Sequence, residues 1–351
     1  MGEFYRANLE RPATTEALEA HLVARSGAVD LVDAFHRWVY GLPDPAPAPE
    51  LWLRDDPGER GGGRLWDSPD VWIRHEDDGG TVHQQPRPGR DNWFHARVGN
   101  RGRGTARHLV VTFGLRRRAG FTRTWPADFL PAVSAGVAFE LPPGRSTVVR
   151  ARWPAAQVPP PGAHVALVAA ALTRGAHPPA GSRVGERGDL AQKDLTVVRA
   201  PRGASVLVPF EVRGASAGAA TGLEVRRPRE LAGVGLRVAR PRAGEVAVTA
   251  DDPLAAALEP PAPPDAGGAV LVGGEDELTR GSFDLAAALP LPDAPRAALD
   301  LPLPLGPSTL ALVLTVPRDL PPGTEGTVDV LRRDGSGPVA GGFAVRLVVD
   351  P

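Results

Sequence analysis

The chain has 351 residues, with 40 Lys and Arg against 41 Asp and Glu and a formal net charge of -1. That length predicts two hydrophobic cores, since a single core rarely grows beyond about 250 to 300 residues, and the near-zero charge removes the field that nucleic acid or an anionic membrane would exploit. Cys 0 excludes disulfides, thiol catalysis and every cysteine-based metal site. The Gly 41 and Pro 39 fall between alternating apolar runs, so they are read as the turns of an ordered, mainly β protein. No stretch approaches the roughly 20 apolar residues of a membrane span, and the first residues lack a secretory apolar core. The expectation is a chain without membrane insertion, cytoplasmic at synthesis and exported, if at all, within an assembly.

Residues 1–64 predict a helical arm followed by a Pro/Gly-rich linker. Thr14, Thr15 and Glu16 resemble a helix start, and Leu18, Leu22, Val29, Val32, Phe35 and Val39 recur at helical spacing, as one helix or two broken at Gly27. The aromatic end, Phe35, His36, Trp38 and Tyr40, gives way to an alternating proline run that favours an extended spacer. Two readings of this segment stand: a helix packed on its own sandwich, or a docking arm in which Leu18, Leu22, Val32, Phe35, Trp38 and Tyr40 meet a partner while the sandwiches fold without it.

Residues 65–199 predict strands at 70–75, 92–100, 108–115, 136–141, 146–153, 164–172 and 195–199, the number and spacing of an immunoglobulin-like sandwich. Alternation turns Phe94, Ala96 and Val98 one way along the second strand, and points Leu109, Val111, Phe113 and Leu115, with Val149, Ala151 and Trp153, into the core. The motifs DSPDVWIR, NWFHARVGNRG, PPGRS before VRARWP, AHVALVAAAL and DLAQKDLTVV resemble a bacterial immunoglobulin-like, cell-adhesion-related β-sandwich module, over about residues 66–199. The resemblance implies a binding or scaffolding role rather than catalysis. Where such modules carry an asparagine-rich run before the closing strand, this chain has Val184 to Asp189, which puts any role for those asparagines in doubt.

Residues 200–351 predict a second sandwich, with strands at 204–213, 222–226, 234–239, 245–249, 269–273, 282–287, 308–316, 326–332 and 342–349. Leu310, Leu312, Leu314 and Val316 alternate strictly, as do Phe343, Val345, Leu347 and Val349. The proline-rich stretches 259–265 and 290–307 read as loops or edge segments. This half contains no His, Trp or Tyr, which leaves it without the usual bases and stacking platforms.

Candidate chemistry is confined to one loop. His75, Glu76, Asp77 and Asp78 precede Gly79 and Gly80, with His83 and His95 nearby; oxygen ligands before a Gly-Gly turn suit calcium, and the imidazoles suit zinc. The loop lacks EF-hand alternation and the histidines lack the fixed helical spacing of a hydrolytic zinc motif, so a solvated polar loop is expected instead. His164 reads as a core or edge histidine. Ser26, Ser68, Ser134, Ser146 and Ser182 have no strand-to-helix Gly-x-Ser-x-Gly elbow around them, and Gly61, Gly62 and Gly63 lack the Lys of a phosphate loop. The sequence therefore predicts no catalytic residue and no cofactor. It points to a structural or protein-interaction component, self-assembling or bound to a protein partner; the alternative is an accessory module that binds carbohydrate or calcium.

Overall fold

A computed structural model describes residues 14–26, 31–41, 47–55, 64–116, 119–121, 123–159, 165–195, 197–214, 220–242, 269–271, 283–303, 306–333 and 339–350. The predicted strand at 245–249, along with Gly27, Val29 and His164, lies outside these residues. The chain forms two compact units. The first comprises Met1–Arg116, Thr122–Val158 and Leu167–Lys193; the second comprises Arg117–Phe121, Pro159–Ala166 and Asp194–Pro351.

The first unit opens with helices α1 (Thr15–Ser26) and α2 (Leu31–Ala34), the latter running into a π-helical turn, Phe35–Val39. Thr14 caps α1, its hydroxyl accepting the Ala17 amide at 3.2 Å. The strands follow as β1 (Leu51–Trp52), β2 (Val71–Arg74), β3 (Asn92–Asn100), β4 (Ala106–Arg116), then β5 (Ala119–Gly120), which belongs to the second unit, and β6 (Ser134–Leu141), β7 (Ser146–Trp153), β8 (Ala166–Leu172) and β9 (Leu190–Asp194). In one sheet β3 pairs with β7 along one edge and with β1 and β2 along the other; the second sheet runs β6-β4-β8-β9. Phe94 stacks on Trp153 at 4.6 Å and on Phe113 at 5.2 Å, and Leu109, Val111, Val149 and Ala151 are buried as their alternation predicts.

Strand β8 is buried at every residue, and β4 nearly so. A strand with one wet face alternates; a continuous buried run needs cover on both faces. That cover is α1, which lies over β4 and β6. Val23, Ala24 and Val32 join Val110, Val168, Ala170, Leu172 and Leu190 in one apolar cluster, closed by Trp125 and Phe129. The helical segment is thus part of the first unit's core, the reading in which it packs on its own sandwich.

The strand expected at 195–199 does not close the first unit. It forms β10 (Val197–Ala200), paired in parallel with β19 (Val339–Val349) of the second unit, while β9 occupies the edge of the first. Asp194 helps direct the chain there, its carboxylate accepting the Ala344 amide at 2.7 Å.

The second unit has two sheets. One runs β10-β19-β18-β12-β16, with β12 Ala220–Arg226, β16 Arg296–Pro302 and β18 Glu325–Arg333; the other runs β14-β11-β17-β13-β15, with β11 Ser205–Gly214, β13 Gly235–Ala239, β14 Ala269–Leu271, β15 Leu289–Pro290 and β17 Gly306–Thr315. Alternate residues of β11, β17 and β19, from Val206 and Leu310 to Val349, form the core between them. The run read as loop or edge at 290–307 contributes the edge strand β16, with Ala297 and Leu301 buried. Of the strand expected at 282–287, the described residues 283–287 form none. There Phe283 makes a single bridge to Pro241 and plugs an outer cluster with Leu207, Ala311 and Val313, so its burial comes from one side chain rather than a ladder.

Strand β5 adds to the free side of β11, Ala119 and Gly120 lying opposite Phe210 and Glu211 in parallel. Phe121 follows it into the core, edge-on to Phe210 at 5.7 Å and to Phe343 at 5.5 Å. Gly341 makes room for it: a Cβ there would lie 1.6 Å from the Phe121 carbonyl oxygen.

Candidate functional site

The acidic loop after β2 is occupied by arginines. Asp78 pairs with Arg74 at 2.5 Å, and Asp77 with Arg150 of β7 at 2.5 Å. The Arg74 hydrogen bond, aided by the Gly80 amide, holds the Asp78 carboxyl below the usual carboxylate range. The His75 ring faces the Gln85 carbonyl at 2.8 Å, His83 Nδ1 accepts the Ile73 amide at 3.2 Å, and His95 is buried flat against Trp72 at 5.3 Å between centroids. These partners turn His75, Asp77 and Asp78 to different neighbours, and among the described residues no three His, Asp or Glu side chains converge as a metal would require. The loop is held by ion pairs rather than merely solvated.

The SPD motif is also structural. Asp70 is buried and receives the Arg54 backbone amide at 2.9 Å and its guanidinium at 3.0 and 2.6 Å, while the Ser68 hydroxyl donates to the Arg54 carbonyl at 2.6 Å. Asp70 thereby pins the segment after β1 to the start of β2. Asn100, the last residue of β3, satisfies four partners: Oδ1 accepts the Glu50 and Gly102 amides at 3.1 and 3.0 Å, and Nδ2 donates to the Gly104 and Leu141 carbonyls at 2.7 and 2.9 Å.

The six residues expected on the docking arm separate. Val32 and Phe35 are buried inside the first unit, Leu18, Leu22 and Tyr40 are half-buried, and Trp38 is 80% exposed. Val32 and Phe35 are therefore corrected from partner contacts to core residues, because the sheet beneath them needs a second cover. Along β6, Ala135 and Val137 pack under the helices, and Phe139, next on the same face, stands 67% exposed. Phe139 meets the buried His108 ring edge-on at 4.8 Å, and Tyr40 stacks on that ring at 3.9 Å. With Trp38 and Val39, the latter 53% exposed, this gives the first unit an aromatic rim where the helical segment ends. His108 holds φ at 50°, the one non-glycine residue among those described with positive φ. The composition of α1 hid this rim, because Phe139 and His108 lie some 70 or more residues further along the chain.

Among the described residues, no helix is long and apolar enough to cross a membrane. No family model matches the chain, and no curated protein does. Solved structures with a loose similarity to it come from bacterial proteins. The C-terminal domain of the AgI/II polypeptide BspA of Streptococcus agalactiae is 8% identical over 80% of this chain and 99% of that one, at a TM-score of 0.22. A partial N-terminal region of the enterococcal surface protein is 7% identical over 84% and 97%, at 0.26. The major pilin SpaA of Corynebacterium diphtheriae is 9% identical over 80% and 68%, at 0.20. Superpositions this loose leave the role of the chain to be read from its own chemistry.

Proposed function

We propose that the protein is a non-enzymatic structural or protein-interaction component built from β-sandwich units, and that it works within a larger assembly. The observation that carries this reading is the aromatic rim: Trp38 at 80%, Phe139 at 67% and Val39 at 53% exposure. Large exposed apolar side chains are the composition of a protein contact, with aromatics supplying most of its energy. Within each unit taken by itself, polar groups with catalytic potential are tied into fixed pairs, Asp70 with Arg54, Asp189 with Arg187, and Glu224 between Arg226 and Arg333. Such pairs brace a scaffold.

The test is to change Trp38→Ser and Phe139→Ser together and follow self-association by sedimentation, and partner capture from the source lysate, against the unaltered chain. Loss of association with an unchanged melting midpoint supports the reading. Unchanged association sinks it, and binding of a soluble glycan by the unaltered chain alone would favour the carbohydrate-binding alternative.

A further inference from the structure

Beneath the rim lies a cluster of buried ionisable groups that the proposed contact does not use. Glu19, in the middle of α1, is fully buried; its Oε2 accepts the Tyr40 hydroxyl at 2.7 Å, and its Oε1 has no hydrogen-bond partner. Tyr40 lies nearly parallel to His108, at 14° and 3.9 Å, and His36 meets His108 edge-on, at 86° and 5.6 Å. His36 Nε2 faces the Arg107 carbonyl at 2.7 Å. A carbonyl only accepts, so the neutral ring carries its proton on Nε2, an assignment from hydrogen-bond chemistry that leaves Nδ1 bare. Nδ1 of His36 and Nδ1 of His108 are both buried without partners. Each of the three groups is thus buried with one polar atom left without a hydrogen-bond partner, so a new charge there would be poorly solvated.

We propose that residues 14–26 and 31–40 form a proton-gated latch, closed on the sheet while Glu19 is protonated and His36 and His108 are neutral, and released when the carboxyl ionises or the imidazoles take up protons. This goes beyond the interaction role, because it makes the cover of β4 and β8 conditional on pH.

The charged and titratable neighbours are Glu16 on α1, Asp33 on α2, Arg107 on β4 and Arg174 after β8, while β6 presents Phe139. Burial pushes the Glu19 carboxyl up to about 7, the Tyr40 hydrogen bond opposing and Glu16 adding. Burial holds His36 below the ordinary imidazole range, the Arg107 carbonyl opposing in part and Arg174 adding; His108 is held down by burial and then by His36. A carboxyl raised on folding stabilises the closed latch below its unfolded value, and that contribution is lost as pH rises through about 7. Imidazoles lowered on folding stabilise it above their unfolded value of 6.5, and that contribution is lost as pH falls through the depressed values. The two limbs leave the latch closed between the depressed imidazole values and about pH 7.

The test is hydrogen exchange of the full chain between about pH 5 and 8.5, corrected for intrinsic rates, comparing α1 amides with those of β3. The expected result is α1 protection relative to β3 that falls by about fourfold between about pH 6.5 and 8.5, as a carboxyl at about 7 ionises, and falls again toward about pH 5. Glu19→Gln keeps an acceptor for Tyr40 but cannot ionise, and should abolish the alkaline loss alone. His36→Gln with His108→Asn should remove the acid loss, asparagine tolerating the positive φ. Protection that tracks β3 at every pH overturns the proposal, as does an alkaline loss that survives Glu19→Gln. Independently of any variant, a carbon-13 titration of Glu19 in the unaltered chain with its midpoint at the ordinary carboxylate value overturns it too.

Discussion

Lys193 is the chain's one lysine among 40 cationic side chains, and its surroundings explain the exception. Its Nζ donates to Asp67 Oδ1 at 2.7 Å and to the Ser68 carbonyl at 3.1 Å, with the side chain 11% exposed. A compact ammonium reaches two acceptors at an angle to each other, which a planar guanidinium fork does not fit. Burial pushes the Asp67 carboxyl up, but the charge and hydrogen bond of Lys193 more than offset this and leave it lowered. A carboxylate depressed on folding stabilises above its unfolded value, and the contribution is lost as pH falls through the folded one. Lys193→Met should therefore cost about 1 to 3 kcal/mol in urea unfolding at neutral pH, with the difference shrinking toward about pH 3; an equal cost at both would assign the loss to packing. Trp153, fully buried against Phe94, should cost about 3 to 5 kcal/mol on change to Ala. A cost under about 1 kcal/mol would place it outside the core. Because Arg74 and Arg150 already hold Asp78 and Asp77, a chelator should leave the melting midpoint unchanged; a fall reversed by calcium or zinc would reopen the loop as a metal site.

The helical segment shows where patterns end and tertiary contacts begin. Removing residues 1–46 should lower the melting midpoint of the first unit sharply or drive aggregation, because it uncovers Val110, Val168, Ala170 and Leu172, and each apolar side chain is worth about 1.5 to 3 kcal/mol when buried. A soluble truncated chain with an unchanged midpoint in calorimetry would restore the docking arm. The start of α1 could be read from Thr14 and Glu16, because capping is local chemistry. Its destination could not be read from its own stripe: Leu18 and Leu22 form a half-buried flank, whereas the side toward the sheet is Glu19, Ala20, Val23 and Ala24, too small and too polar to announce itself. The signal lay in the partner strands, since the unbroken apolar run of β8 demands cover on two faces. Strands β3, β7, β17 and β19 are legible in their alternation, while β9 is not, because Gln192 and Lys193 look solvent-facing until Asp67 and Ser68 arrive from 126 and 125 residues away. Likewise the arginine partner of Asp77 lies 73 residues along the chain, beyond any motif.

The second unit is assembled from separate pieces of chain, and β5 with Phe121 comes from the shortest of them. Nothing in the alternation of residues 119–121 marks them as part of another core, because two residues carry no period. Gly341→Ala should disturb this piece specifically, driving a methyl group into the Phe121 carbonyl, and the expected readout is faster exchange at Phe121 and along the β11 edge with the β17–β13 pairing retained. Unchanged exchange there would mean that the neighbouring backbone yields at little cost. A piece supplied from the middle of one unit to the sheet of another also alters what a protease can achieve. A single nick between residues 123 and 158 leaves β5 on the amino-terminal product and its pairing partner β11 on the carboxy-terminal one. Such a cut should give two bands on a denaturing gel and one particle in gel filtration, so that the chain tolerates being severed where a simple tandem would fall apart.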